Sequence, residues 1–123
     1  MIRQNERENA MIYLYQMLVK AEAKIEDILG DDGLLSDDFS NVIDNVLENI
    51  RAYRTLLDQQ LIDWTFERLG FIEQAILLLA LAEQKVLQTP KSVIIDEAII
   101  LSKKFSDEDS YKLVNATLDK VIQ

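Results

Sequence analysis

No cysteine and no histidine occur among the 123 residues, and glycine and proline are scarce, at three and one. Without cysteine there is no disulfide and no thiolate metal site. Without histidine the commonest general base and the other usual zinc ligand are gone. Catalysis would have to rest on carboxylates, lysines and hydroxyls, which disfavours an enzyme and leaves no catalytic or metal residue to nominate. The shortage of glycine and proline leaves little material for turns, and so favours a few long helices over many short strands. Long hydrophobic runs are missing as well: the longest, Ala75 to Ala82, is far below the about eighteen apolar residues that a membrane span requires. Met1-Ile2 is followed at once by charged and amide side chains, unlike a signal peptide. These absences predict a soluble, cytoplasmic, cofactor-free protein in which residues 1–123 make one domain.

What is plentiful is negative charge. The chain carries 13 basic and 22 acidic residues, a net charge of −9. Residues 1–50 hold 4 of the basic and 11 of the acidic side chains, so most of the excess lies in the first half. Such a field repels nucleic acid at a distance, and any RNA contact has to come from a local basic patch or a basic partner. The opening MIRQNERENAMIYLYQ offers Arg3 and Arg7, four apart and on one helix face, with Glu6 and Glu8 interleaved. That end could hold about two phosphates, or it could be a solvated helix start.

Apolar periodicity predicts five helices. Met11, Leu14, Leu18, Ala21, Ile25 and Ile28 form one stripe on a helix from about residue 4 to Leu29, closed by Gly30 and the turn Asp31-Asp32-Gly33. Ser36 followed by Asp37 and Asp38 reads as an N-cap. The stripe Phe39, Val42/Ile43, Val46, Ile50, Tyr53, Leu57 and Leu61 then carries a helix to near Asp63-Trp64, with Trp64 placed in the core. Glu67 to Leu69 is a short turn. Ala75 to Ala82 is apolar on every side, so its helix should be the central one, packed on several neighbours. Thr89 before Pro90 predicts an N-cap with proline at the first helical position, ahead of Ile94, Ala98, Leu101 and Phe105. Ser106-Asp107-Glu108-Asp109 comes close to a capping box for a last helix bearing Tyr111, Val114, Leu118 and Val121.

The acidic stretch DDGLLSDDFSN fails as a calcium loop, because the sixth position from Asp31 is Ser36 and the twelfth is Val42, where glycine and glutamate are needed. Its carboxylates read as turn and cap residues, as do Asp107 to Asp109. Glu-x-x-His pairs for a di-metal bundle and a glycine-rich phosphate loop are both lacking.

The stretch TPKSVIIDEAIILSKKFSDEDSYKLVNATLDKV, with IDWTFERLGFIEQAILLLALAEQ upstream and RENAMIYLYQM at the start, resembles the NusB family of bacterial transcription antitermination factors. The most specific part is the spaced series Pro90, Ile95, Glu97, Ala98, Lys103, Phe105, Glu108, Asp109, Ser110, Val114, Asn115, Leu118, Asp119 and Lys120. The resemblance runs over nearly the whole chain. It implies an all-α fold of two small packed helical bundles, and no catalysis. It also implies partners: ribosomal protein NusE, boxA-type single-stranded RNA of ribosomal RNA transcripts, and an antitermination complex on RNA polymerase. A homodimer is a further expected association. The implied RNA-binding residues are Arg3, Arg7, Tyr15, Glu73, Lys103, Phe105, Asp109 and Lys112.

The chain departs from the family where charge matters. Its start is thinned to two arginines, Leu78 stands where an arginine is common, Asp96 replaces an asparagine, and Ser106 and Ala116 replace glycines. A second reading therefore competes: a helical protein-interaction module that keeps the partner and has lost direct RNA binding. A third, the RNA-docking domain of a ribosomal RNA methyltransferase, is disfavoured for want of a catalytic domain. Bland readings also stand for single residues: Tyr15 as a half-buried rim residue, Phe105 as core, Lys103-Lys104 and Lys112 as solvated helix charges, and Asn115 as a partner for buried backbone.

Overall fold

The computed structural model describes residues 2–20, 35–61, 65–107 and 109–122, with the side chains of residues 2, 3 and 20 left aside. Among the described residues are five α-helices and no strand: α1 (Ile2–Lys20), α2 (Asp37–Gln60), α3 (Phe71–Leu87), α4 (Lys91–Phe105) and α5 (Ser110–Val121), with a 3-10 turn at Phe66–Arg68. The predicted run of the first helix to Leu29, its Gly30 cap and the placement of Trp64 lie outside the described residues.

The apolar run decides the architecture. Every residue from Gln74 to Glu83 is buried, and α3 packs against each of the other four helices. α1 and α2 pack on α3 and on each other, and so do α4 and α5. This is the shared-helix arrangement of two small helical groups. The α2 stripe is buried through Phe39, Val42, Ile43, Val46 and Leu57, because those positions share one face of a helix turning every 3.6 residues.

Caps fix the helix ends. Ser36 Oγ accepts from the Phe39 N–H at 3.2 Å, as the sequence predicts for α2. Gln74 in α3 is buried and donates through Nε2 to the carbonyls of Phe66 (3.1 Å) and Leu69 (2.9 Å), which satisfies the short turn that leads into the helix. Two caps differ from expectation. Pro90 is itself the cap residue, with an extended ψ of 145°, and its carbonyl accepts from Val93 and Ile94. Thr89 is thus one place too early. The last helix starts at Ser110, and Asp107, not Ser106, supplies the oxygen that closes it: Oδ1 accepts from the N–H groups of Asp109 (3.1 Å) and Ser110 (3.0 Å). A carboxylate is the stronger acceptor beside a helix N-terminus, and it frees the Ser106 hydroxyl for other contacts. Asn115 is exposed and does not serve buried backbone.

Candidate nucleic-acid interface

Five of the residues implied for RNA binding meet where α4 turns into α5. Lys103 and Phe105 stand in the last turn of α4, Asp109 and Lys112 open α5, and Glu73 reaches in from the first turn of α3. The Ser106 hydroxyl makes the link. It donates to Glu73 Oε2 at 3.0 Å and shares a 2.8 Å hydrogen bond with Ser110 Oγ. Glu73 folds back over Gly70, where a Cβ would stand 2.8 Å from Oε1. Glycine there leaves room for a carboxylate that ties α3 to the α4–α5 turn.

Two open grooves flank this turn. One is lined by Lys103, Ser106, Asp107, Asp109, Tyr111 and Lys112. The other runs past Arg68, Gly70, Glu73, Ser110 and Leu113 and shares Asp107 and Asp109 with the first. Lys103 Nζ lies 4.6 Å from the centroid of the Tyr111 ring. Lys112 Nζ is 3.9 Å from Asp109 Oδ1, both groups being largely in water, so this pair holds weakly and leaves the ammonium exchangeable. Phe105 is half-buried against the core, with Lys104 Nζ 5.4 Å from its ring centroid. The surface thus offers cations for phosphates, aromatic edges, and carboxylates able to accept from exocyclic amines of unpaired bases.

The start of α1 behaves differently. Arg7 is only 7% exposed. Its Nε donates to Glu83 Oε1 at 2.8 Å and its Nη2 to Glu83 Oε2 at 2.8 Å, and Nη1 lies 3.7 Å from Glu97 Oε1. The guanidinium also stands 6.0 Å from the Phe39 ring centroid. The arginine expected on a phosphate-facing or solvated helix start is turned into the protein, where a planar fork matches a buried carboxylate in two hydrogen bonds. Arg3 lies in α1, its side chain outside the described ones. Tyr15 is half-buried on α1 and packs against the core. One residue beyond Arg7, Glu8 Oε2 accepts from Lys104 Nζ at 2.8 Å and joins α1 to the end of α4.

Several residues at this surface escape a reading of the sequence. Asp107, Ser110 and Tyr111 shape the grooves. Asp107 was visible as a residue ahead of a helix, but its partners depend on where that helix begins. Among the described residues no group of three or more histidines, cysteines or carboxylates is disposed to hold a metal ion. No described helix is long and apolar enough to cross a membrane.

Comparison with known proteins places this geometry. The model of the NusB family matches residues 4–123. A transcription antitermination protein NusB from an Exiguobacterium species is 38% identical over 128 aligned residues, covering 100% of this chain and 98% of that one. The fold matches T. maritima NusB with a TM-score of 0.86 at 28% identity, over 97% of this chain and 89% of that one. It also matches, with a TM-score of 0.83 at 23% identity and over 97% of this chain and 94% of that one, a structure described as antitermination factors NusB and NusE in complex with double-stranded RNA. With a match that spans nearly all of the sequence and a fold shared from α1 to α5, the chain belongs to the NusB family.

Proposed function

We propose that this chain is an RNA-binding transcription antitermination factor that pairs with ribosomal protein NusE. The pair would hold a boxA-type single strand of ribosomal RNA transcripts within an antitermination complex on RNA polymerase. The role is non-enzymatic and cytoplasmic, needs no cofactor, and uses residues 1–123 as one helical domain. A homodimer of the free protein is a further state of this reading. The observation that carries it is the convergence of Glu73, Lys103, Asp109 and Lys112 from three helices onto one grooved surface, with Phe105 half-buried at the adjoining end of α4, in a chain of this family.

The physical roles follow from residue type. Lys103 and Lys112 take phosphates; Phe105 and, on α1, Tyr15 take base faces; Asp109 and Glu73 accept from base edges. With a net charge of −9 the protein neutralises few phosphates alone, and a basic ribosomal partner supplies the rest. The fluorescence anisotropy of labelled boxA RNA, titrated with and without NusE over a range of salt, tests this. Binding by the chain alone should be weak, with a log–log salt slope of roughly −1 to −2, since about 0.7 counterion is released per phosphate contacted on a single strand. NusE should strengthen it greatly. One finding favours the protein-only alternative: Arg7 is engaged with Glu83 inside the molecule, which removes a cation from a start already thinned. No binding even with NusE would establish that alternative.

A further inference from the structure

We infer that Glu8 sets the affinity of this RNA surface by occupying Lys104, a cation the surface would otherwise offer to a phosphate. The inference rests on the RNA-binding reading above. Lys104 Nζ donates to Glu8 Oε2 at 2.8 Å. The pair bridges two elements that the reading assigns to RNA, α1, which carries Tyr15, and the end of α4 at the α4–α5 turn. Lys104 follows Lys103 directly, and its ammonium lies 5.4 Å from the Phe105 ring centroid, so it belongs to the same patch. Of the three lysines there, it has the closest carboxylate: Lys112 has Asp109 at 3.9 Å, and Lys103 faces the Tyr111 ring.

An ammonium donates to a carboxylate oxygen and to a phosphate oxygen in the same way and at similar distances, so the two compete for one site. The competition can be won by RNA because the bridge is wet: its side chains are 56% exposed at Lys104 and 26% at Glu8. Such a pair is favoured over its open form by no more than about fivefold. Arg7 and Glu83, at 9% and 3% side-chain exposure, have no comparable access to an incoming anion. RNA arriving at Lys104 therefore displaces Glu8, and the cost of that exchange is subtracted from the affinity.

The test is a salt series of labelled boxA RNA binding to the complex of NusE with Glu8→Gln, Lys104→Gln, the double variant, and Glu48→Gln. Glu48 is exposed on α2, and its replacement removes the same charge elsewhere. Glu8→Gln should bind about two- to fivefold more tightly than wild type, with nearly the wild-type salt slope, because Lys104 meets the same phosphate in both. The gain should vanish when Lys104→Gln is added, and Glu48→Gln should give less. Equal tightening by Glu48→Gln, a gain that survives Lys104→Gln, or no gain at all would each overturn the role of Glu8. Glu8→Ala, checked for an unchanged unfolding midpoint, guards against an effect peculiar to glutamine. If wild type with NusE fails to bind the RNA, the RNA reading falls and this inference with it. Binding by wild type without a gain in Glu8→Gln sinks the inference alone.

Discussion

Arg7 and Glu8 are neighbours in the chain, and each ties α1 to another helix through an ion pair, yet the two pairs live in different media. Arg7 meets Glu83 of α3 among Ile76, Leu79, Ile94 and Leu101, at the wall of a very small cavity. Glu8 meets Lys104 of α4 at the rim, in contact with water. Successive residues on a helix point about 100° apart, enough to send one inward and the next outward. The lesson is that a basic N-terminus cannot be counted as an RNA-binding cluster from its letters. One arginine is committed to the interior, and the exchangeable charge sits on α4 and α5.

The largest effect should come from breaking the inner pair. Arg7→Ala leaves Glu83 buried without its partner, which should cost about 3–5 kcal/mol, read by urea unfolding followed by circular dichroism. Glu97, a second carboxylate 3.7 Å from Nη1, loses the same partner and supplies no positive charge in its place. Arg7→Met with Glu83→Leu removes both charges and refills the space, and should recover to within about 1 kcal/mol of wild type. A double variant as unstable as the single one would show that Arg7 contributes something other than charge pairing. Leu79 lies beside the pair in the centre of α3. Leu79→Ala should cost about 2–5 kcal/mol through lost contacts and the cavity left behind, and an unchanged midpoint would remove α3 from the centre of the fold. The outer pair is the small end of the scale: Glu8→Gln should change stability by less than about 1 kcal/mol. A larger loss would mean that the rim bridge holds α1 in place, and the contrast between the two pairs would collapse.

Much of the fold was legible because it rests on local pattern. The apolar run Ala75 to Ala82 announces a helix with no solvent face, and the structure surrounds it on all sides. Ser36 announces the start of α2 because its hydroxyl needs only a neighbour three residues on. What failed depends on geometry that pattern does not hold. Pro90 caps rather than opens α4, a difference of one ψ angle. Asp107 displaced Ser106 as the closing oxygen of α5, since two acceptors compete within a few residues and the ionised one wins. Arg7 could not be read as buried, because its partner lies 76 residues away. The surface at the α4–α5 turn was readable only through family resemblance. Its members come from three helices, and no spacing in the sequence brings Glu73 to Ser106.

The central claim, that the lysines at the α4–α5 turn and not Arg7 face the RNA, is tested most directly by salt dependence. Binding of boxA RNA to the NusE complex should be followed over salt for wild type, for Arg7→Met with Glu83→Leu, and for Lys103→Gln with Lys112→Gln. The account predicts that the arginine variant keeps the wild-type log–log slope. The lysine variant should flatten it by about 1.4, at about 0.7 for each of two lost phosphate contacts. A slope flattened by the arginine variant and untouched by the lysine variant would contradict it.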